Sequence, residues 1–166
     1  LVKDFLVEDL STWYIRRSRD RISSNDDVID RNACLAVLYG VLVGYTKVAA
    51  PIMPFITEEI YRNLTGDISV HLTDYPKGDA SLLDEKLMQQ MKLVRQIVEL
   101  GHAQRKAAAI KLRQPLQGIT YEAAEELDDE LEQVIAEELN IKKVEFKKKA
   151  AEITVVLETE LTAELQ

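Results

Sequence analysis

Residues 33–50 read ACLAVLYGVLVGYTKVAA, the longest apolar stretch of the 166-residue sequence. Lys47 is its only charged residue, and apolar side chains fall on nearly every side of a helical projection. A helix that is apolar all round is typically buried. The stretch therefore predicts a helix over 27–50 in the middle of a bundle, with Gly40 and Gly44 marking the close approach of a neighbour.

A second helix is predicted before this one, over residues 1–22. Its apolar side chains recur at steps of four, four and three, which is the spacing of one helix face. They are Val2, Leu6, Leu10 and Trp13. We interpret Trp13 as a structural anchor of this helix. The serine and acidic residues of 23–26 then supply a stop and an N-cap for the apolar helix.

Further helices are predicted on the other side of the apolar stretch. The two prolines of PIMP end the apolar helix and start a short one over 54–65. Residues 67–79 have the composition of an extended loop, and helical spacing returns over 82–109. Helices joined by short connections favour an antiparallel bundle, which we expect to occupy residues 1–113.

The pattern changes after residue 113. GITYEAA at 118–124 alternates like a strand, residues 127–139 have helical spacing, and apolar alternation returns near 144–146 and 153–157. Residues 114–166 are therefore predicted to form a small α/β subdomain of strand, helix, strand and strand. Because so short a segment buries little apolar surface, we expect it to depend on the bundle.

Composition excludes several classes of site. The single cysteine, Cys34, rules out an internal disulfide and a multi-cysteine metal site. No apolar run approaches the roughly 20 residues of a membrane span, and nothing resembles a signal peptide, so we expect a cytoplasmic protein with no membrane partner. Because the chain opens on Leu1 within an amphipathic pattern, it is interpreted as a fragment of a longer protein.

The net charge of −8 hides two local basic clusters. Residues 8–21, EDLSTWYIRRSRDR, place four arginines beside a tryptophan and a tyrosine, and residues 92–113 hold six basic residues against one acid. Local patches decide what an anion experiences within a Debye length of about 8–10 Å. The sequence therefore predicts an anionic partner. The candidate contacts are Tyr14, Arg16, Arg17, Arg19, Arg21, Lys106, Lys111 and Arg113.

Other charged residues are given structural interpretations. His71 is expected to be a packed, hydrogen-bonded side chain, because no nucleophile or acid constellation accompanies it. Glu58 and Glu59 suit the positive end of a helix, and the acids of 125–132 suit a solvated face. The lysines of 147–149 are expected in a turn between strands.

Four stretches together resemble the isoleucyl-tRNA synthetase family, in its order and spacing. They are DFLVEDLSTWYIRRSRDR at 4–21, AAPIMPFITEEIY at 49–61, SVHLTDYP at 69–76 and KLRQPL at 111–116. The resemblance covers nearly the whole chain and is to the region downstream of the catalytic domain. Departures are the absence of an aromatic residue after Arg21, and Asp30-Arg31 in place of the usual Asp-Lys.

The resemblance implies a class I anticodon-binding domain. It implies tRNA(Ile) as partner through the anticodon stem-loop, the catalytic domain of the same chain as neighbour, and a monomer. The family activates isoleucine with ATP and magnesium and then transfers it to tRNA. Neither HIGH-type nor KMSKS-type ATP motifs occur here, so no catalytic, cofactor or metal residue is expected within these 166 residues.

Two alternatives remain open on the sequence. One is the anticodon-binding region of another class I synthetase, valyl-tRNA synthetase especially, because the AP-x-x-PF-x-x-E motif is shared widely among these enzymes. The other is a helical protein-interaction module that does not bind RNA. Salt-sensitive binding to tRNA would separate an anticodon-binding domain from the protein-interaction module, because phosphate contacts release counterions.

Overall fold

The computed structural model describes residues 2–24, 26–149 and 153–158. These residues contain six α-helical segments, one π-helix and three strands. All three strands come after the fifth α-helix, so the described chain is mainly helical and ends in a small α/β part. The predicted fold class is confirmed. The contacts divide the chain into two compact units, Leu1–Asp79 and Ala80–Gln166.

The first unit opens with three consecutive helical segments. They are α1 (Val2–Asp4), a π-helix (Phe5–Ile15) and α2 (Arg16–Ser23). The predicted helix is confirmed in extent. The α-helical spacing assumed for its apolar face is wrong over the π-helix, where backbone hydrogen bonds join residues five apart. π-Helical turns are rare and carry more residues per turn. The predicted stripe is therefore not uniformly covered: Leu10 is buried, whereas Leu6 is 36% exposed.

Helix α3 spans Val28–Ala49, as predicted, and begins where the Asp27 side chain accepts a hydrogen bond from Asp30 N–H at 2.9 Å. The prediction that it is buried on nearly every side is wrong. Its buried residues are Cys34, Thr46 and Ala49 alone. Apolar spacing all round a helix does not specify how many neighbours will cover it.

Two further expectations for α3 are also wrong. An added Cβ at Gly40 or Gly44 would meet no described atom within 4 Å, so neither glycine marks a close approach. The helix is also long and apolar enough to cross a membrane by length and composition alone, contrary to the sequence expectation. Core helices of soluble proteins share this length and composition.

Helix α4 (Pro54–Thr65) confirms the predicted short helix. Pro54 lies in its first turn, and Gly66 ends it in the left-handed conformation with φ 75°, which glycine adopts without a steric penalty. The core here joins α3 and α4 to the following loop. Its buried residues are Ala50, Tyr61 and Val70, with Val43 packed against them.

The loop after α4 is fixed by a carboxylate. Glu58 accepts hydrogen bonds of 2.9 Å from both Val70 N–H and Ser69 Oγ. His71 lies in the short 3-10 turn Val70–Leu72, with its Nε2 3.3 Å from the Pro54 carbonyl oxygen. His71 is therefore hydrogen-bonded, as predicted, but the prediction that it is packed is wrong, because the side chain is exposed. Glu58 holds the loop rather than only facing solvent at a helix start.

The second unit contains a 3-10 turn (Ala80–Leu82), two helices and a sheet. Its helices are α5 (Glu85–Ala107), N-capped by Asp84, and α6 (Asp129–Leu139). Gly101 on α5 is a position of real close approach, since an added Cβ would lie 2.5 Å from Leu139 Cδ1 on α6. The two helices therefore pack through a glycine contact.

Three strands confirm the predicted strand, helix, strand, strand order. They are β1 (Leu116–Ala123), β2 (Ile141–Lys148) and β3 (Thr154–Leu157), in the sheet order β2-β1-β3. β1 pairs in parallel with β2 and antiparallel with β3. The parallel pair needs a crossover, which α6 supplies. The lysines of 147–149 do not form a turn as predicted, because Lys147 and Lys148 belong to β2.

Apolar residues of α5, α6 and the sheet form the core of this unit. Its fully or almost fully covered members are Val94, Ile97, Leu116, Ile119, Tyr121, Ile135 and Leu139. The Tyr121 hydroxyl donates to Glu132 Oε1 at 2.7 Å and accepts from Leu127 N–H at 3.0 Å. α5 thus belongs to the same compact unit as the strands. The division into a bundle over 1–113 and a subdomain over 114–166 stays a prediction.

Candidate nucleic-acid interface

The arginine cluster lies on α2, directly after the π-helix. Four arginines share this eight-residue helix with one acid, Asp20. Arg16 and Arg19 are exposed and Arg17 is half-buried. Residues three apart lie on the same side of a helix, so Arg16 and Arg19 are neighbours on its surface.

Arg16 is held by two local contacts. Its Nε donates to the Thr12 carbonyl oxygen at 2.8 Å, and its guanidinium carbon lies 6.0 Å from the centre of the Trp13 ring. Trp13 is half-buried. An arginine over an indole face is electrostatically favourable and restricts the arginine's motion. The structural role of Trp13 as an anchor stays a prediction.

Arg21 is committed to a bidentate ion pair. Its Nε and Nη2 donate to the two carboxylate oxygens of Asp30 at 2.8 and 2.6 Å. The hydrogen bond from Arg21 holds the pKa of Asp30 below its usual range. The pair joins α2 to α3, so the Arg21 charge is already neutralised within the protein. A tRNA contact by Arg21 stays a prediction, and this geometry makes it the weakest of the four.

Tyr14 also faces the protein. Its hydroxyl donates to the Cys34 carbonyl oxygen at 3.0 Å and lies 3.5 Å from Cys34 Sγ. Burial, followed by the hydrogen bond with Cys34, raises the pKa of Tyr14 to about 12. The hydroxyl is therefore occupied in fixing the π-helix against α3. Stacking of the half-buried ring on a base stays a prediction.

The second basic cluster lies in the other unit, at the end of α5 and in the loop after it. Lys106, Lys111 and Arg113 are all exposed. None of the three forms an ion pair with another residue in the part of the chain that the structure describes. Cations in the last turn of a helix are favoured by its dipole, which accounts for Lys106 but not for the two loop residues.

Sequence reasoning missed Arg105, which lies beside this cluster but is only 2% exposed. A signal was present in the sequence. Val94, Val98 and Gly101 form the buried stripe of α5, and Arg105 continues it four residues further on. A cation that continues an apolar stripe indicates a buried charge with dedicated hydrogen-bond partners.

Among the described residues, no group of three or more His, Cys, Asp or Glu side chains could hold a metal ion. Cys34 is buried and contacts Tyr14. What the two clusters can do chemically is bind anions, by exposed guanidinium and ammonium groups on fixed backbone.

The family model for the anticodon-binding domain of tRNA ligase matches residues 1–120. The chain belongs to this family. The match contains the whole arginine cluster and the loop that carries Lys111 and Arg113. Both candidate clusters therefore lie within the family's own domain.

Curated relatives of this family member are named isoleucine–tRNA ligases. The protein of Chlamydia trachomatis serovar L2 is 43% identical over 157 residues, and that of Thermus thermophilus is 41% identical over 162. The protein of Clostridium acetobutylicum is 44% identical over 151 residues. These matches cover 91%, 92% and 87% of this chain but only 15%, 16% and 14% of the relatives. The chain thus spans about 15% of the length of its relatives.

Proposed function

We propose that this chain is the tRNA-recognition part of an isoleucine–tRNA ligase, with tRNA(Ile) as its partner through the anticodon stem-loop. The observation that carries the proposal is the family match across residues 1–120, which contains both basic clusters. The names of the relatives support isoleucine as the amino acid.

The arginine cluster has the chemistry that an anticodon loop requires. Arg16, Arg17 and Arg19 lie on one helix, α2, which the Arg21–Asp30 pair joins to α3. The Tyr14–Cys34 hydrogen bond joins the preceding π-helix to α3. Proteins read RNA sequence mainly in single-stranded loops, by stacking and by hydrogen bonds to base edges. Arginine can pair with phosphate bidentately and can stack on a base, whereas lysine offers only a point charge.

The whole ligase would activate isoleucine with ATP and magnesium and transfer it to tRNA. The residues described here do not fit that chemistry, because they form neither a metal-ligating group nor a glycine-rich phosphate loop. We therefore assign ATP and magnesium, together with catalysis and editing, to other parts of the proposed ligase. A cytoplasmic monomer is proposed on the same resemblance.

The test measures the affinity of the 166-residue chain for fluorescent tRNA(Ile) across a series of salt concentrations. Replacing Arg16, Arg17 and Arg19 by alanine should weaken binding and flatten the log–log salt slope by about 2 units if three phosphate contacts are lost. Arg62→Ala is the matched control, an exposed arginine on a helix of the same unit. It should leave the slope unchanged.

Two other outcomes would redirect the proposal. Equal or tighter binding of tRNA(Val) would favour a valine enzyme. No salt-dependent binding of either tRNA would favour the protein-interaction module. That second candidate has one observation in its favour, a set of exposed apolar side chains in the first unit that includes Phe55 at 91% and Ile29 at 85%.

A further inference from the structure

Arg105 is a buried cation whose hydrogen-bond partners among the described residues are all carbonyl oxygens. It is 2% exposed, and no carboxylate among the described residues pairs with it. Burial lowers the pKa of its guanidinium. Removing a charge from water is costly unless hydrogen bonds compensate, so such a residue needs a specific reason to be there.

The guanidinium of Arg105 joins two separate segments through four carbonyl groups. Nη1 donates to the Lys111 and Gln114 carbonyl oxygens at 3.1 and 3.0 Å. Nη2 donates to the Leu139 and Asn140 carbonyl oxygens at 2.6 and 3.1 Å. The first pair belongs to the loop after α5, and the second to the C-terminal end of α6. That helix end carries partial negative charge, which favours a cation.

Asn140 holds the same loop through its side chain. Its backbone is left-handed, with φ 49°, and its Nδ2 donates to the Leu112 carbonyl oxygen at 2.9 Å. Carbonyl groups of Lys111, Leu112 and Gln114 are therefore all bonded inward. The side chains of Lys111 and Arg113 remain exposed. The backbone carbonyl groups of the loop are thus hydrogen-bonded within the protein, whereas its two cationic side chains face solvent.

We propose that Arg105 is a positioning residue for RNA binding, which fixes the loop so that Lys111 and Arg113 meet neighbouring phosphate groups. This inference rests on the proposed function. Arginine suits the task because its planar fork reaches four carbonyls at once, whereas a lysine ammonium has three donors on one atom. A loop that is ordered before binding loses less conformational entropy when the phosphates arrive.

The test is a double-mutant cycle on tRNA affinity. Arg105→Lys keeps the charge but loses the fork, and should weaken tRNA(Ile) binding about ten-fold at low salt while flattening the salt slope by roughly 1.5 units for two contacts. In a chain that already carries Lys111→Ala and Arg113→Ala, the same change should have no further effect. A loss of stability alone would weaken binding in both backgrounds.

Two additional variants separate positioning from folding. Gln104→Ala is the structural control. The Gln104 side chain accepts from Leu157 N–H at 2.9 Å and donates to the Val155 carbonyl, so it holds β3 and not the loop. It should lower the melting temperature without changing affinity. Asn140→Gly keeps the left-handed backbone accessible but removes the hydrogen bond to Leu112. It tests the same loop if Arg105→Lys does not fold, and it should weaken tRNA(Ile) binding by less than that variant is expected to.

The outcomes distinguish this inference from the function beneath it. An equal loss of affinity in both backgrounds, or the same loss in Gln104→Ala, would reduce Arg105 to a stability role and overturn the inference. So would unchanged binding when Lys111 and Arg113 are both replaced. In each case the proposed function stands as long as the arginines of α2 still determine the salt slope.

Discussion

Gly101→Ala should destabilise the second unit, although alanine is the better helix former. Gly101 is buried on α5 where α6 crosses it. A Cβ at this position would lie 2.5 and 2.9 Å from the two Cδ atoms of Leu139 and 3.3 Å from its Cγ. Leu139 is 0% exposed, so its side chain has no solvent to move into. Either the leucine leaves its rotamer or the helices separate.

The magnitude follows from two opposing terms. Overpacking a well-filled core costs about 1–3 kcal/mol. Replacing glycine inside a helix gains about 1 kcal/mol from helix propensity and from the smaller entropy of the unfolded chain. The difference is a net loss of about 0–2 kcal/mol in the free energy of unfolding, and the obstruction of an entire branched side-chain end places Gly101→Ala in the upper half of that range. Gly44→Ala, with open space at its Cβ, should instead gain about 0.5–1 kcal/mol.

Urea denaturation followed by circular dichroism gives the free energies, and hydrogen exchange of peptides from α3 and α5 assigns each change to its unit. The opposite signs at Gly101 and Gly44 are the decisive result. Equal stabilisation by both substitutions would refute the reasoning, since it would mean that Leu139 yields without cost. Destabilisation by Gly44→Ala would reveal a neighbour close to α3.

Two further predictions concern the first unit. Burial raises the pKa of Glu58, but the hydrogen bonds from Val70 and Ser69 outweigh it and hold that pKa below its usual range. The contribution of Glu58 to folding stability is therefore complete above its unfolded-state pKa and is lost as the pH falls through its folded-state pKa. Hydrogen exchange at Val70 should accelerate below about pH 4 in the parent but be pH-independent beyond intrinsic exchange in Glu58→Gln. Tyr14→Phe should cost about 1 kcal/mol in urea denaturation, because it removes the hydrogen bond to the Cys34 carbonyl. No measurable cost would show that this bond contributes nothing to stability.

Periodicity anticipated the elements more accurately than their environment. The alternation at 153–157 and the spacing at 127–139 specify β3 and α6 closely, since side chains alternate along a strand and recur at 3.6 residues along a helix. The same reasoning overestimated the burial of α3. The apolar character of a helix depends on its own side chains, whereas its burial depends on the elements that pack against it. It also placed Lys147 and Lys148 in a turn, although they extend β2.

The sequence by itself determined the order of helices and strands, the family, and the two basic clusters, because local pattern and residue type encode these directly. Only the tertiary structure decided which charges remain available. Arg21 is neutralised by Asp30, nine residues away in sequence, and Arg105 is buried against carbonyls 34 and 35 residues away. Such partners are brought together by the packing of separate elements. No local pattern specifies that packing.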